Sequence, residues 1–308
     1  RGNKRFDEYG NDKIVGTNGF YAMKAHWSEH PDRDEKWAEA ERSRIGEERF
    51  RREHECEFLI FDETLISSIV LADMEGTPPV ETTGQVRWFK RPTPGHTYMV
   101  SLDPSMGTGG DYAAIQVFEL PTFEQVGEWH HNQTPMNQQV RILQGINKHI
   151  HDTIMEKDAT ATPQIFYSME NNSIGEAALM RVMDIGEENI MGMFLSEPIR
   201  KGHRRKFRRG FNTTAKHKID ACTKFKELVE NDKMKINSQL LISEMKDFVA
   251  SGLSYKAKPG QHDDLVSSCL LMTRMMKVLA DFDPKIFEKW TDRTSEITPM
   301  PIFGSFTG

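Results

Sequence analysis

The sequence predicts a mixed α/β domain built around one sheet, with a charged helical region before it. Three successive apolar segments with tight connections, starting at Tyr98, predict an antiparallel meander. Beyond them, segments with helical spacing alternate with short apolar runs up to about residue 281. Three antiparallel strands followed by alternating helix and strand are not the order of a doubly wound parallel sheet. A length of 308 residues allows one large domain, or one domain and part of another.

Residues 1–62 differ in composition from the rest of the chain. The segment 32–58 is highly charged, with aromatic residues at Trp37, Phe50 and Phe58. This pattern predicts one or two surface helices, with a break near Gly46. Prolines and a glycine between residues 78 and 95 then lead into the sheet.

The first three strands are predicted at 98–102, 112–120 and 123–131. The first is the apolar run YMVSL, which ends on Asp103, and the Gly-rich turn SMGTGGD separates it from the second. The second and third strands meet at Leu120-Pro121. Their short connections favour antiparallel neighbours.

Helices and strands alternate after the meander. Leu143, Ile146, Ile150 and Ile154 recur at helical spacing and predict a helix. The run QIFYSM (164–169) predicts a buried strand ending on Glu170, and a helix capped by Asn172 or Ser173 follows. The remaining predicted elements are a strand at 190–195 and helices at 214–230, 238–250 and from Asp263 or Asp264 to about Leu279. Residues 282–308 give no clear signal.

Composition narrows the class of protein. The chain is 37% hydrophobic and 28% charged, without an apolar run of membrane-span length or a secretory apolar segment. Its three cysteines, Cys56, Cys222 and Cys269, are far apart. They predict buried thiols in a reducing compartment rather than a zinc site. Because the first residue is Arg, we expect an excised piece of a longer protein.

One basic stretch stands out in a chain whose net charge is −6. Between residues 198 and 210 there are seven cations and no acid: Arg200, Lys201, Arg204, Arg205, Lys206, Arg208 and Arg209. Such a run is often a solvated loop. Seven cations repel one another unless a polyanion is present, so we favour contact with nucleic acid phosphates.

Acidic residues fall at the ends of the predicted elements. Asp103 and Glu170 each end a strand, and Asp263 and Asp264 open the last helix. Each acid alone has an ordinary explanation, as a turn residue or a helix cap. An unpaired carboxylate directly after a buried strand is costly, however, and metal ions would supply its counter-charge. Convergent carboxylates without a His/Cys cluster favour Mg²⁺ or Mn²⁺ over zinc and fit two-metal phosphoryl transfer.

The paired histidines do not predict a metal site. His130 and His131 lie at a strand end, while His149 and His151 lie near a helix end, so they point in different directions. We interpret all four as ordinary surface residues.

Six segments together resemble the large terminase subunit of tailed bacteriophages, the DNA-packaging motor, over roughly residues 18–281. They are DRDEKW (32–37), the spacing of Gly46, Phe50, Glu55 and Phe58, TLISS (64–68), SLDPSMGTGGDY (101–112), MENNSIG (169–175) and GQHDDLVSS (260–268). They occur in the order and spacing of that family, whose members join an ATPase to an RNase H-like nuclease.

The resemblance implies an RNase H-like fold and a set of site residues. Asp103, Glu170 and one or both of Asp263 and Asp264 would be catalytic and hold two Mg²⁺ or Mn²⁺ ions. Asp111 resembles an accessory metal ligand, and His262 would orient the acid pair or a water. Residues 63–281 would form the nuclease, with a basic insertion near 198–210. The expected activity is largely sequence-nonspecific cutting of concatemeric viral DNA.

The resemblance also implies partners and a location. These are double-stranded DNA, a portal protein and a small terminase subunit, in the cytoplasm of the infected host and without a membrane. The phosphate-loop motif GxxxxGK[ST] is missing from the sequence. We therefore expect no ATPase activity, and residues 1–62 to be a remnant of the ATPase region and its linker. A monomer is compatible with the sequence, which leaves the oligomeric state open.

Two other functions remain open from the residues. An actin-like or sugar-kinase-like phosphotransferase shares this strand order, and the glycines after Asp103 loosely resemble its phosphate loop, although no second loop is found. A non-catalytic DNA-binding or docking module would use the basic stretch, with the acids as helix caps. ATP turnover without DNA cutting would favour the first, and DNA binding without metal-dependent cutting the second.

Overall fold

A computed structural model describes residues 3–6, 12–15, 26–55, 63–198 and 209–282. The chain divides into two compact units, residues 1–61 and 62–308. The described elements of the first unit are the antiparallel strands β1 (Asn3–Phe6) and β2 (Asp12–Val15), a 3₁₀ turn at Trp27–Glu29, and helices α1 (Glu35–Ile45) and α2 (Glu47–His54).

The two helices of the first unit are separate, as the sequence predicts. The side chain of Asp34 caps α1 by accepting the backbone N–H of Trp37. Gly46 ends the helix with a φ of +84°, a conformation that residues with a Cβ rarely adopt. Trp27 and Phe50 are buried against Trp37 in a small aromatic cluster.

The second unit contains a seven-stranded mixed sheet with helices on both faces. Its strands are β3 (Glu81–Thr83), β4 (Val86–Trp88), β5 (Thr97–Asp103), β6 (Ala113–Leu120), β7 (Glu124–His131), β8 (Gln164–Met169) and β9 (Met193–Phe194); a separate hairpin joins β10 (Phe248–Ser251) to β11 (Ser254–Ala257). Its helices are α3 (Ser68–Asp73), α4 (Met136–Lys157), α5 (Ser173–Ile185), α6 (Ala215–Glu230), α7 (Gln239–Asp247) and α8 (Asp264–Phe282), with a 3₁₀ turn at Glu187–Asn189.

The strand order of the sheet is β3-β4-β7-β6-β5-β8-β9. Strands β5, β6 and β7 form the predicted antiparallel meander. Strand β8 pairs parallel to β5, and β9 parallel to β8. A mixed sheet of three antiparallel strands followed by alternating helix and strand is therefore confirmed.

One face of the sheet carries the main apolar core. Alternate residues of β5 and β8, such as Val100 and Tyr167, pack on the buried faces of α4 and α5. Leu143, Ile146, Ile150 and Ile154, whose spacing predicts the long helix, are all buried in this core.

The opposite face is more polar and packs against α8. Ser101 of β5 and Ser268 of α8 are fully buried, and their hydroxyl oxygens lie 2.8 Å apart. The Ser101 hydroxyl also donates to the Ser268 carbonyl over 2.9 Å. Because successive strand residues point to opposite faces, Asp103 lies on the same face as Ser101. This face therefore receives the acids at the strand ends.

Two predicted elements end earlier than the sequence pattern indicates. The helix predicted at 238–250 stops at Asp247, and residues 248–257 turn back as the β10–β11 hairpin. The Phe248 and Tyr255 rings stack across that hairpin. Residues 248–250 therefore form cross-strand contacts instead of the predicted last turn of a helix. The strand predicted at 190–195 is regular only at Met193–Phe194. In addition, β3 and β4 extend the sheet in a region that the prolines did not identify as strand.

In the described part of the chain, no helix has the length and apolarity that crossing a membrane requires.

Candidate active site

Asp103 and Glu170 lie side by side at the ends of two neighbouring strands. The parallel register places Leu102 opposite Met169, and the Glu170 N–H donates to the Leu102 carbonyl over 3.1 Å. Both side chains are partly buried on the α8 face, and the Asn172 amide donates to the Glu170 carboxylate over 3.3 Å. The sheet therefore brings together two acids that are 67 positions apart in the chain (170 − 103).

Helix α8 adds two more acids from its first turn. The Asp264 carboxylate accepts the Tyr112 backbone N–H over 3.3 Å, which joins the helix start to the end of the Gly-rich turn. The Asp263 carboxylate accepts the Ala257 N–H over 3.2 Å, and the Lys218 ammonium lies 4.0 Å from it. The buried contact between Ser101 and Ser268 fixes α8 against β5 one turn further along.

The charges of three neighbouring acids act on Asp103. Burial raises the pKa of Asp103 well above its usual value, and Glu170 raises it further through its charge and hydrogen bond. Asp264 and Asp263 add smaller effects in the same direction. Acids within this range of one another destabilise each other's charged forms unless a cation or a proton intervenes.

Several neighbouring groups shift the pKa of Asp264 in opposite directions. Burial raises its pKa to about 6, against the lowering effect of the hydrogen bond from Tyr112. The charges of Asp263 and Asp111 raise the pKa, while His262 lowers it. The pKa of Asp264 thus depends on the charges of three other candidate site residues, namely Asp263, Asp111 and His262.

Asp111 and His262 lie at the exposed edge of this cluster. Asp111 is exposed at the end of the Gly-rich turn. The His262 Nδ1 lies 3.6 Å from the nearer Asp264 oxygen, and 43% of its side chain is exposed. This distance is too long for a hydrogen bond between the two side chains.

The ligand atoms available among these residues are carboxylate oxygens, which hard divalent cations prefer. Four carboxylates and no thiolate form the kind of oxygen-rich site that Mg²⁺ and Mn²⁺ prefer. Among the described residues, however, no three His, Cys, Asp or Glu side chains already converge in ligand geometry. The Asp263 and Asp264 carboxylates accept backbone N–H groups instead. Small side-chain rotations would be needed to bring the carboxylate oxygens onto a shared cation.

The position of Glu170 depends on a tight strand-to-helix turn. Asn172 caps α5 by accepting the backbone N–H groups of Ile174 and Gly175, over 3.0 and 2.7 Å. A Cβ on Gly175 would lie 1.8 Å from the Glu170 carbonyl oxygen, so this position requires glycine. The MENNSIG segment is therefore shaped to hold Glu170 directly against the start of a helix.

Most of the basic stretch lies outside the described residues: Arg200, Lys201, Arg204, Arg205, Lys206 and Arg208. Arg209 is described and forms an ion pair with Glu187. Nearer to the acids, Lys218 of α6 faces Asp263.

Sequence reasoning missed three residues around the acids, namely Tyr112, His130 and Glu244. The Tyr112 ring stacks on His130 with centroids 4.1 Å apart and meets the edge of His262 at 4.8 Å. Glu244 of α7 accepts the first free N–H groups of α8. A signal for Glu244 was present, because an acid three positions after Leu241 falls on the buried face of that helix.

The interpretation of His130 as a surface residue is wrong. Its side chain is 14% exposed, because it is held between the Tyr112 ring and Glu244. Burial lowers its pKa to about 4. His149 is also partly covered, by stacking on Trp88. Cys222 and Cys269 are buried thiols, as predicted, and Cys56 lies outside the described residues.

Solved structures similar to this chain are nuclease domains of phage large terminases. The large terminase nuclease from thermophilic phage G20c with bound magnesium is 17% identical, with a TM-score of 0.51, over 70% of this chain and 97% of its own. Its cobalt-bound form gives the same values. A further structure of that nuclease is 19% identical, with a TM-score of 0.50, over 68% of this chain and 96% of its own. At these identities the likeness establishes the fold, which is RNase H-like.

A family model described as the terminase RNaseH-like domain matches residues 100–275, which is more than half of the chain. The matched range includes Asp103, Glu170, Asp263 and Asp264, and it begins and ends within the second unit. The chain therefore belongs to the family described as the terminase RNaseH-like domain.

Proposed function

We propose that this chain is a divalent-metal-dependent endonuclease that cuts concatemeric viral DNA during genome packaging, with little sequence preference. The family membership supports DNA cutting in packaging as the general function. The specific activity is supported by the register of β5 and β8, which brings the ends of these strands together at Asp103 and Glu170, and by the hydrogen bond from the Tyr112 N–H to Asp264 of α8.

Acidic residues of β5, β8, α8 and the Gly-rich turn would hold two Mg²⁺ or Mn²⁺ ions in this proposal. Asp103 would be a central ligand, because Glu170 ends the neighbouring strand and the charges of the α8 acids also act on it. Asp264 affects Asp103 more strongly than Asp263 does, and Asp263 is already engaged by Lys218 and the Ala257 N–H. We therefore assign Asp264 as the main ligand of the pair and Asp263 and Asp111 as secondary ligands. The G20c nuclease with bound magnesium supports a hard divalent ion.

The chemistry divides between the ions and the protein. Two bound ions would lower the pKa of an attacking water and neutralise charge on the phosphate and the leaving oxygen. The residues of the chain orient the carboxylates around that position. The hydrogen bond from Tyr112 holds one oxygen of Asp264, and His262, whose Nδ1 lies 3.6 Å away, is placed to orient a water or accept its proton.

The basic stretch is proposed as the DNA-holding element. Its cations would bind phosphates without reading sequence, which supports sequence-tolerant cutting. Arg209 would have to exchange Glu187 for a phosphate. Neutralising Arg204, Arg205 and Arg208 should weaken DNA binding and flatten its dependence on salt concentration. An unchanged slope would mean that the stretch does not contact DNA.

The cutting activity is tested on supercoiled plasmid with Mn²⁺ or Mg²⁺, with and without EDTA. We expect nicked and linear products with the wild-type protein, and none with Asp103→Asn or Glu170→Gln. Asp184→Asn is a matched control, because Asp184 is an exposed acid paired with Arg181 on α5. Cutting by Asp103→Asn and Glu170→Gln at the wild-type rate would reject the site. An inactive wild-type protein that still binds DNA would instead favour the non-catalytic docking module.

The wider setting is part of the proposal. In the infected bacterial cell the domain would act at the procapsid portal, with a portal protein and a small terminase subunit as partners. Residues 1–62 would be the end of the ATPase region and its linker. Co-purification of this chain with portal protein, compared with a chain starting at residue 63, would test whether the first unit contributes to that contact.

A further inference from the structure

The carboxylates of Asp263 and Asp264 do not cap the start of helix α8, although the Asp263 carbonyl accepts the N–H of Ser267 over 2.7 Å. The free N–H groups of Leu265 and Val266 donate to a single oxygen of Glu244, over 2.8 and 3.1 Å. An aspartate at a helix start ordinarily accepts such N–H groups itself. Here the Asp263 carboxylate binds the N–H of Ala257, and that of Asp264 binds the N–H of Tyr112.

The capping group comes from another helix. Glu244 lies on α7, next to the buried residues Leu241 and Met245, and its own side chain is 11% exposed. A carboxyl group is costly to place there unless its oxygens are used, and two backbone N–H groups use one of them. The position of Glu244 is thus tied to the N-terminus of α8.

We propose that Glu244 is a positioning residue for the metal site: by capping α8 from α7, it releases the carboxylates of Asp263 and Asp264 to face Asp103. This role rests on the proposed function, because it assumes that these acids are metal ligands. The Asp263 and Asp264 side chains are then not needed as helix caps, because the Glu244 carboxylate accepts the N–H groups of Leu265 and Val266 instead.

A second contact connects Glu244 to the same acids by another route. Its other oxygen lies 3.6 Å from the His130 Nε2. His130 stacks on the Tyr112 ring, and the Tyr112 N–H holds Asp264. Glu244 therefore caps the start of α8 and lies beside the ring pair next to the Gly-rich turn, without a hydrogen bond to His130.

The environment of Glu244 shows which substitution is conservative. Burial raises the pKa of Glu244 to about 9, and the nearby charges of Asp264 and Asp263 contribute. A neutral side chain with an acceptor oxygen thus reproduces the group at neutral pH. Glutamine has that oxygen for the two N–H groups and an amide that can face His130, whereas alanine has neither.

The test compares Glu244→Ala, Glu244→Gln and Ser238→Ala by Mn²⁺ binding to the DNA-free protein, measured by calorimetry or by the EPR signal of free Mn²⁺. We expect Glu244→Ala to weaken Mn²⁺ binding roughly 10- to 100-fold, the range for residues that orient metal ligands. Glu244→Gln should restore most of the affinity. Ser238→Ala is the matched control, because Ser238 caps α7 and donates to Glu128, and none of its hydrogen bonds goes to Asp103, Glu170, Asp263 or Asp264. It should lower the midpoint of urea unfolding and leave Mn²⁺ binding unchanged.

Hydrogen exchange in metal-free protein measures the cap directly. The amides of Leu265 and Val266 should be protected in wild type and Glu244→Gln, and exposed in Glu244→Ala. A folded Glu244→Ala protein with wild-type Mn²⁺ affinity would overturn the positioning role. So would a Glu244→Gln protein that binds Mn²⁺ as weakly as Glu244→Ala. If instead wild type and Asp103→Asn bind Mn²⁺ equally poorly while the amides behave as expected, the proposed metal site fails and the cap stands.

Discussion

Asp103 and Glu170 end two neighbouring parallel strands, and the Glu170 N–H donates to the carbonyl of Leu102, the residue before Asp103, over 3.1 Å. Burial raises the pKa of Asp103 well above its usual value, and the charges of Glu170, Asp264 and Asp263 act in the same direction. Acids that destabilise one another's charged forms favour a cation or a proton between them.

Replacing Asp103 by asparagine should stabilise the metal-free protein while abolishing its metal response. The substitution removes an acid whose charged form is destabilised by burial and by Glu170. We expect a gain of about 1 kcal/mol in the free energy of unfolding at pH 7. Wild type should gain stability on adding Mn²⁺, because only the folded state has the site, and the variant should not. Urea unfolding with and without Mn²⁺ measures both effects. A less stable variant that still responds to Mn²⁺ would contradict the assignment.

The same substitution at two helical glycines should have opposite effects. Gly175→Ala places a Cβ 1.8 Å from the Glu170 carbonyl and must displace that strand end. We expect a loss of about 3 kcal/mol or more, together with loss of cutting. Gly145 of α4 has open space around it, so Gly145→Ala should stabilise the protein by about 0.5–1 kcal/mol. Urea unfolding checks both variants, and similar effects at the two sites would show that α5 does not approach Glu170 so closely.

The buried pair of Ser101 and Ser268 should show strong non-additivity. Each hydroxyl contacts the other and can also donate to the other residue's carbonyl, so a single serine-to-alanine change removes their mutual contact and leaves the remaining hydroxyl with a carbonyl as its partner. We expect each single variant to lose about 1–2 kcal/mol and the double variant to lose clearly less than the sum. A double-mutant cycle by urea unfolding gives the coupling. Additive losses would mean that the two hydroxyls do not depend on each other.

His130 should make the protein less stable in mild acid. Burial lowers its pKa to about 4, whereas a histidine in the unfolded chain binds a proton near pH 6.5. Between these values the unfolded state binds more protons, so stability falls as the pH is lowered from 6.5 towards 4. By pH 5 the contribution of His130 is on the order of 2 kcal/mol.

The variant His130→Phe isolates this effect, because phenylalanine keeps a ring to stack on Tyr112 and cannot take up a proton. The loss of stability between pH 7 and pH 5 should be smaller in the variant than in wild type. Urea midpoints at the two pH values provide the measurement. Parallel pH profiles for the two proteins would place His130 in a solvated environment, contrary to its contacts.

The sequence predicted those parts of the fold whose signal is local. The meander at 98–131, the helix at Leu143–Ile154 and the break at Gly46 each follow from spacing or from one glycine, and each is observed. The hairpin at 248–257 was missed because its first residues, up to Ala250, continue a helical pattern. Its two strands form by pairing with each other, which a pattern along one segment does not show.

The acids were identifiable because each lies at the boundary of an element. Asp103 and Glu170 follow apolar runs, and Asp263 and Asp264 open the last helix. The groups that hold them were not identifiable. The backbone N–H of Tyr112 carries no sequence signal, and Glu244 lies 20 positions before Asp264 (264 − 244) on a different helix. Cap and ligand come together only when α7 and α8 pack.

By itself, the sequence determined the order of strands and helices and which carboxylates could form a site, because periodicity and element ends are properties of neighbouring residues. The tertiary structure decided how those carboxylates are used. It set β8 parallel to β5, so that Glu170 meets Asp103. It also gave the cap of α8 to Glu244 and left the Asp263–Asp264 pair free of that role, since hydrogen bonds between distant elements depend on packing that no local pattern records.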